Sequence, residues 1–307
     1  MTKEVFGMRK SIGKAQGMAL LIFVNVMWGL SFIFSKTALS EGMPSMTLAF
    51  WRYVMTAVIM VPLCIRLEGG IRLREWTPRA FATTMLGITV YYFFEYNGLR
   101  RTTASAASLI LALVPVMTLL ARVVLARVRI SPLRWLCVLL SLLGAYWVIR
   151  ADSGEDAGTL AGNLLMIGAC LCWTGYILVS PRLMAACSPT RVTAWQSVCA
   201  VITLLPFSLG ERGAWVAVSA KAWLCVFLLA AVCSALCYLL YGVAIRACDP
   251  LTVSLSININ PVAACIGGAL LLHESLTGMQ LLGGALILLS MIVDTLETSG
   301  AFRAKRG

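Results

Sequence analysis

Three ionisable side chains stand inside stretches that are otherwise apolar: Lys36, Arg52 and Glu95. Glu95 lies within VYYFFEYNGLRR (90–101), among Tyr91, Tyr92, Phe93, Phe94 and Tyr96. A charge at the centre of a bilayer helix costs about 2.5–3.5 kcal/mol on insertion scales, so such groups need partners or a function. At 1.5 Å per residue, Glu95 falls about 5 Å and Arg52 about 9 Å below the same interface. Lys36 lies three residues before the end of its own apolar run, at a similar depth. A carboxylate, two cations and an aromatic wall suit a solute of mixed character. In that reading Glu95 holds a substrate ammonium group or carries a coupling proton, and Tyr92 belongs to the wall. Each residue also has a plainer role open to it. Lys36 can snorkel to the interface along its aliphatic stem. Arg52 can tie its helix to a neighbour's carbonyls, and Glu95 can pair with Arg100 or Arg101.

Other pathway candidates are Trp28, Trp173, Tyr176, Tyr238, Tyr241 and Asn258. Tryptophan serves as often for packing or as an interfacial anchor. Pro115 and Pro261 lie inside apolar runs, where proline deletes one backbone hydrogen bond and crowds the carbonyl four residues earlier, at Leu111 and Ile257. Freed carbonyls at membrane depth need a partner or a watery lining. SLSININP (254–261) offers Asn258 and Asn260 beside the second proline. Two readings remain: local repair of the kink, or hinges at Pro115 and Pro261 with Asn258 facing substrate. Residues two apart on a helix diverge by about 200°, so only one of the two asparagines points inward.

The elements that must carry these residues are membrane helices. Hydrophobic residues make up 60% of the 307, and only 12% are charged, against about 25% in soluble domains. Ten runs are long enough to cross a bilayer as helices: 16–39, 46–66, 78–98, 104–127, 131–150, 160–181, 192–209, 222–245, 251–272 and 277–293. The net charge of +12 is unevenly spread, with seventeen Lys and Arg in the termini and even-numbered loops and five in the odd-numbered loops. That is the positive-inside pattern, which puts both termini in the cytoplasm. The charge therefore reports orientation and gives no footprint for nucleic acid. Eleven cysteines lie mostly within the apolar runs, without a C-x-x-C pair, and His273 is the sole histidine. They read as small hydrophobes, with no metal site, cofactor or disulfide framework expected. The first run lacks a small-residue cleavage site and reads as a retained helix.

A shift of about 145 residues brings landmarks into register: Gly17 on Gly162, Trp28 on Trp173, Pro44 on Pro189, Pro62 on Pro206, Arg100 on Arg246 and Pro115 on Pro261. Residues 1–150 and 151–307 therefore read as two copies of a five-helix unit, joined by RADSGEDAGTLAG (150–162). Five crossings are odd, so the second copy enters the membrane from the opposite side. Inverted repeats of this kind are an architecture of secondary transporters, which rock about a midplane site. The expected fold is an all-α membrane protein of ten transmembrane helices in two inverted repeats.

MWGLSFIFSK (27–36), FWRYVMTAV (50–58), TTASAASLILALVPV (102–116) and INPVAACIGGALLLHESLTGMQLLGGALILLS (259–290) resemble EamA-type members of the drug/metabolite transporter superfamily. The resemblance covers nearly the whole chain. It implies a multi-pass carrier of the bacterial inner membrane, typically an exporter of amino acids or other small metabolites. One departure stands out: HES carries Glu274, whereas its counterpart in the first half, RVRIS (127–131), has no glutamate.

Rival functions leave fewer marks. No H-E-x-x-H, G-x-S-x-G or Walker A pattern is present, which argues against an enzyme or an ATP-driven pump. His273 beside Glu274 is a weak general-base pair and reads better as a surface dipeptide closing a turn. An organic-cation or drug efflux carrier is the principal alternative to a metabolite exporter, and a membrane-embedded enzyme a more distant one. The expected partners are a small-molecule substrate, the lipid bilayer and a coupling proton.

Overall fold

A computed structural model of the chain describes residues 13–71, 77–153, 157–179, 187–248 and 250–299. These residues form helices and short turns, with no strand among them. In chain order the helical passages are α1 (Lys14–Ser40), α2 (Ser45–Glu68), α3 (78–99), α4 (Ala104–Ala126), α5 (Pro132–Ala151), α6 (Thr159–Val179), α7 (Pro189–Gly210), α8 (Ala220–Ala244), α9 (Thr252–Leu271) and α10 (Gly278–Thr298). Nine of them, all but α3, are long and apolar enough to cross a membrane. Large apolar side chains such as Val58, Val124, Leu125, Leu139, Leu171, Leu270 and Leu282 are exposed, the face a lipid solvent requires. Hydroxyl caps at Thr77, Thr103, Ser188, Ser219 and Thr277 accept a backbone N–H of the following helix, satisfying donors that lipid cannot.

The α3 passage differs from the apolar span expected at 78–98. It is built from Pro78–Thr84, a π-helical turn at Met85–Thr89, and Val90–Leu99. Its low hydropathy has a simple cause: Thr83, Thr84, Thr89, Tyr91, Tyr92, Glu95 and Tyr96 are all buried. The passage spends its polar residues inward, so it is the least greasy and the best covered. The expected linker at 150–162 is helical at both ends, up to Ser153 and from Ala157 onward.

The packing has an internal echo. Helix α1 lies against α8 and α9, and α6 against α3 and α4; α2 pairs with α7, and α5 with α10. Exchanging every helix for the one five places away maps this pattern onto itself. Local irregularities recur at the same spacing. The π turn of α3 is matched by one at Leu229–Leu236 in α8. Helix α4 is interrupted at 112–113 and α9 at 257–258, just before Pro115 and Pro261. The two described non-glycine residues with positive φ, Arg127 (50°) and His273 (55°), follow those two helices. In the second break Asn260 N–H donates to Ile257 O at 3.1 Å, and the Asn258 amide nitrogen donates to Leu255 O at 3.1 Å. Residues near the break thus take up the carbonyl that Pro261 would have left free.

Small residues set the tightest contacts. A Cβ on Gly144 of α5 would lie 2.5 Å from Gly283 O of α10, and a Cβ on Gly283 would lie 2.5 Å from Gly144 O. The two backbones touch where a side chain would separate them, a common basis of helix association in lipid.

Candidate functional site

Arg52 is at the centre of the buried polar residues. Its Nε donates to Ser234 Oγ (3.1 Å), its Nη1 donates to the Tyr96 hydroxyl (2.9 Å), and its guanidinium carbon sits 5.1 Å from the Tyr92 ring centroid. Ser234 belongs to the π turn of α8, and its hydroxyl donates in turn to Leu229 O, five residues back (2.9 Å). The irregular turn therefore presents a hydroxyl at the place where a guanidinium from α2 needs an acceptor; π turns often mark such functional places. The sequence reading offered backbone carbonyls as Arg52's structural partners, and the structure supplies hydroxyls and a ring instead.

Glu95 lies on α3 one turn from Tyr91 and Tyr92, is only 5% exposed, and has no hydrogen-bond partner for Oε2. Arg52 is near enough for its charge to act on the carboxylate. Arg100 and Arg101, the alternative partners, are exposed. An ionised oxygen buried without a donor is costly, so this atom is disposed to accept a proton or an N–H donor.

Aromatic rings connect these groups. Tyr53 meets Tyr92 (centroids 5.7 Å apart), Tyr92 meets Tyr96 (4.8 Å) and Tyr91 (5.0 Å), Tyr91 meets Trp173 (5.1 Å), and Trp173 meets Tyr176 (4.9 Å). On the other side Trp28 contacts Tyr238 (5.8 Å) and Tyr241 (5.4 Å) and donates Nε1–H to Cys233 O in the π turn (3.0 Å). The first π turn has its own ring: a Cβ on Gly87 would stand 2.5 Å from Tyr176. Each tryptophan of the expected pair thus sits beside tyrosines, with a π turn close by.

Among the described residues no contact ties Lys36 to Arg52 or Glu95. Its ammonium donates to Leu99 O (2.7 Å) and Thr102 O (2.6 Å), at the end of α3. Asn258 is buried beside the α9 break with Oδ1 lacking a partner, and neighbouring Ser256 accepts from Asn25 of α1 (3.1 Å). No contact ties Asn258 to Arg52 or Glu95 among the described residues. His273 is exposed, while Glu274 turns inward and accepts from Ala104 N (2.7 Å), Ser105 N (3.0 Å) and Ser105 Oγ (2.7 Å) at the start of α4.

Four participants were missed from sequence. Tyr96 stands in the sequence only as one of the rings around Glu95, and Tyr53, next to Arg52, carries no signal of its own. Ser234 gave no signal, since one serine in an apolar run is ordinary. Glu274 shows in the sequence only as an asymmetry between the halves. Among the described residues no group of three or more His, Cys, Asp or Glu could hold a metal.

Among the described residues, nine membrane-length helices and a buried polar and aromatic cluster define a multi-span membrane protein. The chain belongs to the EamA-like transporter family, whose model matches it twice, over residues 15–150 and 160–295. An uncharacterized transporter of Archaeoglobus fulgidus is 24% identical over 281 residues, covering 90% of this chain and 96% of its own. A probable amino-acid metabolite efflux pump of Salmonella typhimurium is 24% identical over 302 residues, 94% of this chain and 96% of that one. The threonine/homoserine exporter RhtA of the same species is 29% identical over 167 residues, 54% of this chain and 55% of its own. A solved crystal structure superposes with a TM-score of 0.64 at 18% identity, covering 92% of this chain and 98% of the other; likeness at that identity speaks to fold alone.

Proposed function

We propose that this chain is a secondary transporter that exports small amphipathic metabolites, amino acids among them, across the bacterial inner membrane by alternating access. In this reading residues 1–150 and 151–307 are two five-helix units of opposite orientation, α3 completes ten crossings, and both termini face the cytoplasm. The double family match and the five-place packing echo support that arrangement. The observation that carries the function is the buried pair of unlike charges on α2 and α3. Arg52 is satisfied by neutral hydroxyls, so it keeps a net positive field. Glu95 keeps an oxygen without a donor. An amino acid offers an ammonium group to the second and a carboxylate to the first, and the tyrosine and tryptophan rings suit its apolar part. When Glu95 is not occupied by substrate, it is the group that would carry a coupling proton.

A second reading has its own support: a lone carboxylate oxygen among aromatic rings also suits an organic cation. Counterflow separates the two. Proteoliposomes preloaded with unlabelled amino acids or with quaternary amines are diluted into trace label, and the solute whose label accumulates is the substrate. Glu95→Gln should abolish exchange of either class. Wild-type exchange by that variant, with wild-type pH dependence, would remove Glu95 from the pathway and leave this reading without its central observation.

A further inference from the structure

The contacts between α1, α9 and the α3–α4 turn carry an inference beyond substrate binding; it rests on the carrier reading above. Helix α1 packs on both α8 and α9, and α6 on both α3 and α4. These two groups meet at one end of the molecule, where Ile259–Leu271 lies on Ala104–Leu111 and α1 touches both α3 and the start of α4. Among the described residues the equivalent pieces at the other end, Val114–Ala126 and Pro250–Ser256, make no comparable contact. The meeting end is also where Lys36 and Glu274 act. Lys36, from α1, takes the carbonyls that end α3. Glu274, from the segment after α9, takes the amides and hydroxyl that open α4. A cation thus sits at a helix C-terminus and an anion at a helix N-terminus, both in the favourable sense of the helix dipole. Gly268 makes room for this grip: a Cβ there would lie 2.5 Å from Ser105 Oγ and 2.7 Å from Glu274 Oε2. Its carbonyl also accepts from Glu274 N (3.0 Å), which fixes the glutamate backbone. The counterpart of Glu274 in the first half is the RVRIS segment, which has no carboxylate.

We propose that Lys36 and Glu274 form a two-charge clamp on the α3–α4 turn, holding this end of the molecule shut. The resting carrier therefore favours the conformation closed at the turn. Substrate must loosen the clamp to be released past the turn.

The test uses native cysteines and needs no substrate, so it stands or falls separately from the transport assay. Cys265 lies on α9 beside Ser105 and Ser108, in the interface the clamp closes. Cys64 and Cys137 are buried towards the opposite end. Purified full-length protein in detergent is alkylated with a membrane-impermeant maleimide, and each cysteine is read by peptide mass spectrometry. Lys36→Met and Glu274→Gln should each raise the rate at Cys265 on the order of tenfold, the scale of one lost charge-assisted contact, with Cys64 and Cys137 unchanged. The double variant should add little, because either loss frees the turn. Ser105→Ala, which removes one hydroxyl donor and little volume, should give a smaller rise in the same direction. Unchanged labelling of Cys265 in Glu274→Gln and Ser105→Ala overturns the clamp. An equal rise at all three cysteines also overturns it, because that pattern reports loosening of the whole fold.

Discussion

A guanidinium as buried as Arg52 must find acceptors, and it finds two hydroxyls on two other helices and one ring face. Its planar fork spans these partners; the point charge of a lysine ammonium does not, even though it keeps the sign. Arg52→Lys is therefore expected to lose both stability and transport. Hydrogen bonds to a charged group contribute about 1.5–3 kcal/mol each, and Arg52→Met should forfeit a stabilisation of that order. Thermal unfolding in detergent should show lower midpoints for both variants, and counterflow should fall further for Arg52→Lys than its stability loss explains. A lysine variant with the wild-type midpoint and wild-type exchange would reduce Arg52 to a bulk positive charge. Tyr96→Phe is the milder companion: it removes one acceptor, keeps the ring against Tyr92, and should cost about 1 kcal/mol.

Between elements, stability depends on how closely backbones approach. A Cβ on Gly29 of α1 would stand 2.4 Å from Asn260 O and 2.7 Å from Ala263 Cβ of α9. Neither neighbour is the end of a flexible side chain, so Gly29→Ala must push the two helices apart. Overpacking of this kind costs about 1–3 kcal/mol, and a depressed melting midpoint with reduced yield is the expected result; an unchanged midpoint would mean that the α1–α9 contact is soft. Gly213, with nothing within 4 Å of its Cβ, is the neutral control. The helices themselves were legible in the sequence because length and hydropathy are properties of a run, and nine of the ten runs recur as membrane-length helices. The polar residues were legible as outliers against that background: Arg52 and Glu95 announce themselves because their cost in lipid is high. The π turns at Met85–Thr89 and Leu229–Leu236 left no such trace, since MLGIT and LAAVCSAL are ordinary helix-forming apolar text. Lys36 was legible as a charge but not in its role, because its partners are backbone carbonyls and no side-chain pattern reports those.

Across the whole molecule, the paired α2 and α7 support the proposed inversion. Glu211, just past the end of α7, accepts from Met46 N (3.1 Å) and Thr47 N (2.8 Å) at the start of α2. Glu68, at the end of α2, accepts from the Ser188 hydroxyl that caps α7 and lies 3.4 Å from Arg191 Nε. Each helix thus sends a glutamate to the beginning of the other, which antiparallel neighbours of similar length can do. Antiparallel packing puts the end of α2 and the end of α7 on opposite faces of the membrane. A protease site inserted at Gly69–Gly70 should then be cut only from the cytoplasmic side, and one inserted at Arg212–Gly213 only from the periplasmic side. Both positions follow helix ends and carry glycine, so insertion there disturbs little packing. Cleavage of intact cells against inverted vesicles reads the two faces directly. If both insertions are cut from one side, the number of crossings between them is even and five crossings per unit is wrong; the shared site between inverted halves then loses its basis, whatever Arg52 and Glu95 bind.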